Sequence, residues 1–273
     1  MNNFLTRTLS GVVFIAAITG ALLGGPLTFY LLFAFITALC LNEFYNLVGT
    51  DQADILKLPG LTAGVVVFTL HFMVAGGYIQ GYHMAGLLLL PMILWIIEVF
   101  RKKAYPLRNL AYTLTGLIYP VLMLSSLAHL TFLPDGEFSY APNLALALFI
   151  LIWCNDTFAY ITGKGLGKHK LFPRVSPQKS WEGFFGGMVF TLLAAFILFH
   201  LLELLPVIHW LALALIVSVA GTIGDLSESY LKRTIGVKES GNLIPGHGGI
   251  LDRLDAALFV FPTAWFYLSL TIW

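Results

Sequence analysis

Apolar residues in this chain come in long unbroken runs, not in the i, i+3, i+4 stripes of a surface helix or the alternation of a half-buried strand. Nine such runs stand out, at about 10–25, 27–47, 58–77, 82–100, 109–132, 142–163, 182–204, 206–230 and 254–272. Each approaches the roughly 20 residues that an α-helix needs to cross a bilayer core. Gly24, Gly25 and Pro26 break the first pair, Gly76 and Gly77 separate the third from the fourth, and Pro206 opens the eighth. Runs this long and continuously apolar do not suit the short alternating strands of a closed barrel. The pattern predicts an all-α, polytopic integral membrane protein with about nine transmembrane helices. It divides into N-terminal helices over 1–141 (spans one to five) and a C-terminal half over 142–273 (spans six to nine) that carries two polar loops.

Composition sharpens this. Of 273 residues, 58% are hydrophobic and only 11% charged, against roughly 25% charged in soluble domains. Nine spans consume roughly 180 residues and leave roughly 90 for loops, too few for a separate soluble domain. A net charge of +1 gives no basic footprint for nucleic acid. Cys40 and Cys154 are the only cysteines, both inside apolar runs, so thiol-based zinc spacings and disulfide frameworks are excluded. The first run is preceded by one Arg, lacks a clear small-x-small cleavage site and leads into another apolar run. It reads as a retained helix, not a cleaved leader.

Charge placement tests the count. With the N-terminus and Arg7 in the cytoplasm, alternation puts five groups of basic residues inside. These are Arg7; Lys57; Arg101, Lys102, Lys103 and Arg108; Lys164, Lys168, Lys170, Arg174 and Lys179; and Lys232, Arg233, Lys238 and Arg253. That accounts for all 15 Lys and Arg, as the positive-inside rule requires. The outside loops hold no basic residue, and one carries Asp135 and Glu137. The expected orientation is N-terminus inside, C-terminus outside.

Six acids fall within or at the edges of spans on that same side: Glu43, Glu98, Asp156, Glu182, Asp225 and Glu228. An ionisable group inside a membrane costs about 2.5–3.5 kcal/mol on insertion scales and tends to line a polar cavity. Glu98 precedes Lys102 by four residues, a favourable helical pairing. Glu43 sits a turn from a membrane edge, where it either snorkels or serves a site. Asp156 and Asp225 have no basic neighbour on the same helical turn. His71, His83, His129, His200 and His209 are scattered, and no metal site is expected of them; His169 and His247 fall in the polar loops.

The first loop runs from Asn155-Asp156-Thr157 through Gly163-Lys164-Gly165-Leu166-Gly167-Lys168-His169-Lys170 to Ser176-Pro177-Gln178-Lys179-Ser180-Trp181-Glu182-Gly183. Five basic residues and three glycines suit a polyphosphate, because glycine lets backbone N–H groups approach oxygens. The spacing is neither a Walker A loop nor a Rossmann turn. Ser180 is placed to cap the seventh span. In the second loop Asp225, Glu228, Ser229 and Lys232 share one helix face. A Gly-rich stretch follows, then Asp252-Arg253-Leu254-Asp255. Carboxylates at two helix ends facing a Gly-rich turn suit a hard cation, and the interleaved bases suit phosphates. Metal plus clamp is the equipment of phosphoryl or nucleotidyl transfer.

At these residues the sequence resembles the phosphatidate cytidylyltransferase (CDP-diacylglycerol synthase) family. The match is Ser229-x-Leu231-Lys232-Arg233, then Lys238, then Pro245-Gly246-His247-Gly248-Gly249-Ile250-x-Asp252-Arg253-Leu254-Asp255. Asn155-Asp156-Thr157 and the Ser176–Gly183 stretch add to it. The motifs cover about 150–256; the N-terminal spans match only in character. Glu239 stands where the family usually has Asp. The resemblance implies that CTP and phosphatidic acid give CDP-diacylglycerol and pyrophosphate. It also implies Mg2+, with K+ as a candidate second ion, and a homodimer in the cytoplasmic membrane of a bacterium, its active site facing the cytoplasm. Asp225, Lys232, Arg233, His247, Asp252 and Arg253 are the implied catalytic positions. Asn155, Asp156, Lys168, Ser176, Lys179, Ser180, Glu182, Ser229, Lys238, Gly248 and Gly249 are the implied substrate-binding ones. Asp225, Asp252 and Asp255 are the implied metal ligands. A CTP-dependent polyprenol or phytol kinase would share the bundle but lack the full signature. A secondary transporter would show inverted repeats and a midplane site, and neither is visible.

Overall fold

Helix follows helix because the apolar runs leave the backbone nothing else to bond with in hydrocarbon. The computed structural model describes residues 3–49, 53–133, 137–241, 243 and 248–273. The expected sites at Asp135, Pro245, Gly246 and His247 lie outside the described residues. The chain forms two compact units, 1–141 with 239–253, and 142–238 with 254–273.

The first unit contains α1 (Asn3–Leu23), α2 (Pro26–Val48), α3 (Lys57–Ala75), α4 (Leu89–Arg101), α5 (Pro106–Gly116) and α6 (Met123–His129). Gly25, at φ 110°, turns the chain between α1 and α2, and Pro26 opens α2, where a missing N–H costs nothing. The fourth apolar run is helical in two styles, a 3₁₀ stretch over Gly81–Leu88 running into α4. A π-helical segment, Leu117–Leu122, joins α5 to α6 and contains Pro120. A proline removes one rung of the ladder, and a π-bulge is a common way to absorb it.

The second unit holds α7 (Asn143–Leu166), β1 (Lys170–Phe172), β2 (Ser176–Ser180), α8 (Trp181–Leu202), α9 (Val207–Ile235) and most of α10 (Leu251–Thr271). Strands β1 and β2 pair antiparallel, Lys170 opposite Ser180 and Phe172 opposite Ser176. The all-α expectation stands, with one addition: the first polar loop carries a short β-ribbon on an otherwise helical protein. The glycines that precede the ribbon are helical. Gly163 and Gly165 lie in the last turns of α7, and Gly167 ends it by donating its N–H to the Gly163 carbonyl (3.1 Å). They belong to a helix end, not to an irregular loop.

Small residues instead bring α7 and α8 together. A Cβ on Gly183 would stand 2.8 Å from the Ala159 carbonyl oxygen, and one on Gly187 would stand 2.9 Å from the Asn155 carbonyl oxygen. Gly183 and Gly187 are four apart, the spacing that lets membrane helices approach closely where lipid offers no hydrophobic drive. Farther along, Phe149 of α7 meets Phe261 of α10 edge to face at 5.1 Å.

Among the described residues, eight helical segments are long and apolar enough to cross a membrane: α2, α3, 81–101, 106–129, α7, α8, α9 and α10. The apolar stretch of α1, Thr8–Leu23, is shorter. The protein is therefore an integral membrane protein built of helices.

Candidate active site

In the second unit the polar side chains gather where α7, β2, α9 and α10 meet. Ser180 sits at the junction of β2 and α8 with extended dihedrals, and its Oγ accepts the Gly183 N–H (3.1 Å), the cap that the sequence suggested. Glu182 follows in the first turn of α8. Its carboxylate accepts the backbone N–H of Lys168 (3.1 Å) and of His169 (3.2 Å), and the His169 Nδ1–H (2.6 Å). Glu182 thus fixes the approach to the hairpin. Asn155 is buried, and its Oδ1 accepts from Thr191 Oγ1 (3.4 Å); Asp156, the next residue, is exposed.

With the hairpin held, Lys179 of β2 reaches Asp225 of α9, Nζ to Oδ2 at 2.6 Å. Ser229, one turn on, donates to Asp225 Oδ1 (3.3 Å). Gly224 lets α10 come close at this level: a Cβ there would lie 2.4 Å from the Asp255 carbonyl oxygen. Asp255 accepts its own neighbour's amide, Ala256 N–H, at 2.7 Å. The charges of Asp225 and Asp156 act on it, opposed by Lys179. Lys179 thus acts on both Asp225 and Asp255. Lys232 pairs with Glu228, which is fully buried, so Asp225 takes Lys179 as its partner and Lys232 serves Glu228. Arg233 donates to the Val237 carbonyl (3.3 Å) past the end of α9. Lys168 and Lys238 are exposed and Ser176 is half-buried.

The remaining signature residues belong to the first unit. Asp252 Oδ2 accepts the N–H groups of Ser240 (2.9 Å) and Gly249 (2.8 Å). Gly248 has φ 81°, and a Cβ there would come within 2.7 Å of the same oxygen. Arg253 is exposed. Glu43 of α2 also accepts from this segment, through Ser240, Ile250 and Leu251. It is buried, 6% exposed, so the snorkelling alternative is wrong. The sequence left Glu43 open between snorkelling and a site, and an acid in an apolar run with no basic residue on its turn was the signal. Glu98 has the structural role expected of it, with different partners. It pairs with Arg101 (2.7 Å) and accepts from Asn109 Nδ2 (2.6 Å), because Lys102 has left the helix in a left-handed conformation. Arg101 also binds Asp54 (2.6 Å). A hydrogen bond from Lys103, with the Arg101 guanidinium alongside, holds the Asp54 carboxyl below its ordinary range.

Among the described residues, no three His, Cys, Asp or Glu side chains form a metal-holding group by themselves. The donor set still fits one kind of cation. Mg2+ takes one or two carboxylates and completes its shell with water and substrate phosphates, and an acid pair at Asp225 and Asp255 in excess over Lys179 matches that demand.

The sequence pattern of the cytidylyltransferase family matches residues 5–271. The chain belongs to this family. Among its relatives is a phosphatidate cytidylyltransferase of Staphylococcus epidermidis, 35% identical over 259 residues that cover 94% of this chain and 95% of the relative. Phosphatidate cytidylyltransferases of Staphylococcus haemolyticus and Staphylococcus aureus are 32% and 31% identical, each over 94% of this chain and 95% of the relative. The resemblance read from the C-terminal motifs is thereby established, and it extends through the N-terminal helices. In this cytidylyltransferase the hairpin lysine Lys179 and the acids Asp225 and Asp255 come from elements far apart in sequence.

Proposed function

We propose that this chain transfers the cytidylyl group of CTP to phosphatidic acid, giving CDP-diacylglycerol and pyrophosphate. The observation that carries the reading is the Lys179–Asp225 pair with Asp255 beside it, in a membrane chain of this family. A phosphatidate oxygen is already anionic, so no strong general base is required. That oxygen bonds to the α-phosphorus of CTP in line, and the bond from the α-phosphorus to the bridging oxygen breaks. The electron pair leaves with pyrophosphate. Positioning and charge neutralisation supply nearly all the catalysis in such a transfer.

Lys179 is the central cation, held by Asp225 until phosphate competes for it. Lys232 contributes from its pair with Glu228, and Arg233, Lys238, Lys168 and Arg253 add positive charge around the phosphates. Asp225 and Asp255 would hold Mg2+, which when bound would supply charge neutralisation at the reacting oxygens; K+ is the second ion proposed. Asp252, the third expected ligand, is engaged through Oδ2 by two backbone amides. The reading includes a homodimer in a bacterial cytoplasmic membrane, nine spans, the N-terminus inside and the site facing the cytoplasm, where CTP is found. Purified protein in phosphatidate-containing micelles is expected to convert labelled CTP to CDP-diacylglycerol with release of pyrophosphate. Release of CDP with a phosphorylated lipid would instead make it a kinase, and no turnover at all would reject the reaction.

The orientation has its own test. In a chain whose Cys40 and Cys154 are replaced, single cysteines at Lys170 and Trp273 are expected to label from opposite faces, position 170 from the cytoplasm. Labelling of both from one face rejects the nine-span count.

A further inference from the structure

An acid near the end of a membrane-length helix would ordinarily meet water or a base. Among the described residues Glu43 has no basic partner, and three hydrogen-bond donors from the signature segment surround it. Ser240 Oγ donates to Oε2 (3.2 Å), the Ile250 N–H to Oε1 (3.0 Å) and the Leu251 N–H to Oε2 (2.9 Å). The fit is close. A Cβ on Gly241 would stand 2.8 Å from Oε1, and one on Gly249 would stand 2.4 Å from Oε2. The two amides open α10, where negative charge is favoured and charge-assisted hydrogen bonds are the strong ones. Ser240 is held twice, by its hydroxyl on Glu43 and by its N–H on Asp252. Both ends of the segment are therefore fastened, one anchor lying 197 residues away from Ser240 in sequence.

We infer that Glu43 is a positioning residue for cytidylyl transfer: it touches no substrate, and by fixing Ser240, Ile250 and Leu251 it sets the direction of Asp252 and Arg253. This rests on the proposed reaction. A space-filling role would be met by leucine or glutamine without a charge in an apolar helix. Glutamine keeps the size but turns an N–H2 toward backbone N–H groups. Orienting residues of this kind typically cost 10–100-fold when lost.

The test compares full-length Glu43→Gln and Ser240→Ala with the unaltered chain in lipid nanodiscs. Three quantities are read: amide hydrogen exchange along the chain, kcat and KM for CTP, and the melting temperature. For Glu43→Gln the expected result is at least about a ten-fold drop in kcat/KM. Faster exchange should be confined to Ser240 and Gly249–Leu251, with melting little changed. Ser240→Ala should move the same amides by less. Unchanged exchange and kcat/KM in both variants would overturn the inference. So would exchange rising throughout the chain with activity following the folded fraction at constant KM, which marks a fold-wide role. Should the unaltered chain fail to turn over CTP with phosphatidate, the reaction falls, and the exchange comparison still decides whether Glu43 holds the segment.

Discussion

Asp225→Asn is expected to reduce cytidylyl transfer by at least about two orders of magnitude, or about 2.7 kcal/mol of transition-state stabilisation, while the protein still folds. The amide preserves shape and removes the charge that holds Lys179 at 2.6 Å. Two explanations of that loss separate in one pair of variants. If Asp225 serves only to hold Lys179, Lys179→Ala should reproduce the whole defect and neither variant should alter the Mg2+ requirement. If Asp225 also takes Mg2+, Asp225→Asn should move the Mg2+ activation curve to higher concentration. Lys179→Ala should then chiefly raise KM for CTP. An unshifted Mg2+ curve with full maximal rate in Asp225→Asn sinks the metal assignment.

Gly224→Ala should also be damaging, through packing alone. Its methyl would stand 2.4 Å from the Asp255 carbonyl oxygen and 3.2 Å from the Ala256 Cα. Both are backbone atoms, so α9 and α10 must separate, and overpacking of this kind costs typically about 1–3 kcal/mol. The separation falls between Asp225 and Asp255, so turnover should drop by at least about ten-fold, roughly 1.4 kcal/mol. Gly221→Ala, on the preceding turn, is the control. Its Cβ would meet Ala256 Cβ and Val260 Cγ2 at 3.6 Å, ordinary contact, and both melting temperature and turnover should hold. Equal behaviour of the two variants would refute the close-approach argument.

The helices were legible because hydrocarbon leaves a spanning backbone one economical solution, and the signature residues were legible because Asp225 sits where an unpartnered charge is costly. The hairpin was not. Between Lys170 and Ser180 the chain carries two prolines, an arginine and no sustained alternation, so its strands owe their pairing to the anchors at Glu182 and Ser180. Glycine misled for a related reason. A glycine that admits a phosphate and one that admits a neighbouring helix read alike in sequence, and only the approach of Gly183 to Ala159 distinguishes them. The partners of Glu43 were not legible because they lie 197–208 residues downstream, beyond any local period.

The grouping of residues 239–253 with the N-terminal helices bears on how divisible this protein is. Severing the chain after Ala141 would look natural, since every signature residue lies beyond it. The C-terminal fragment would nonetheless leave behind the carboxylate that accepts from Ser240, Ile250 and Leu251, stranding those donors. The N-terminal fragment would keep a buried acid with nothing to receive. The N-terminal helices thus help hold the signature segment, and a gene fragment encoding the recognisable motifs alone would lack that anchor.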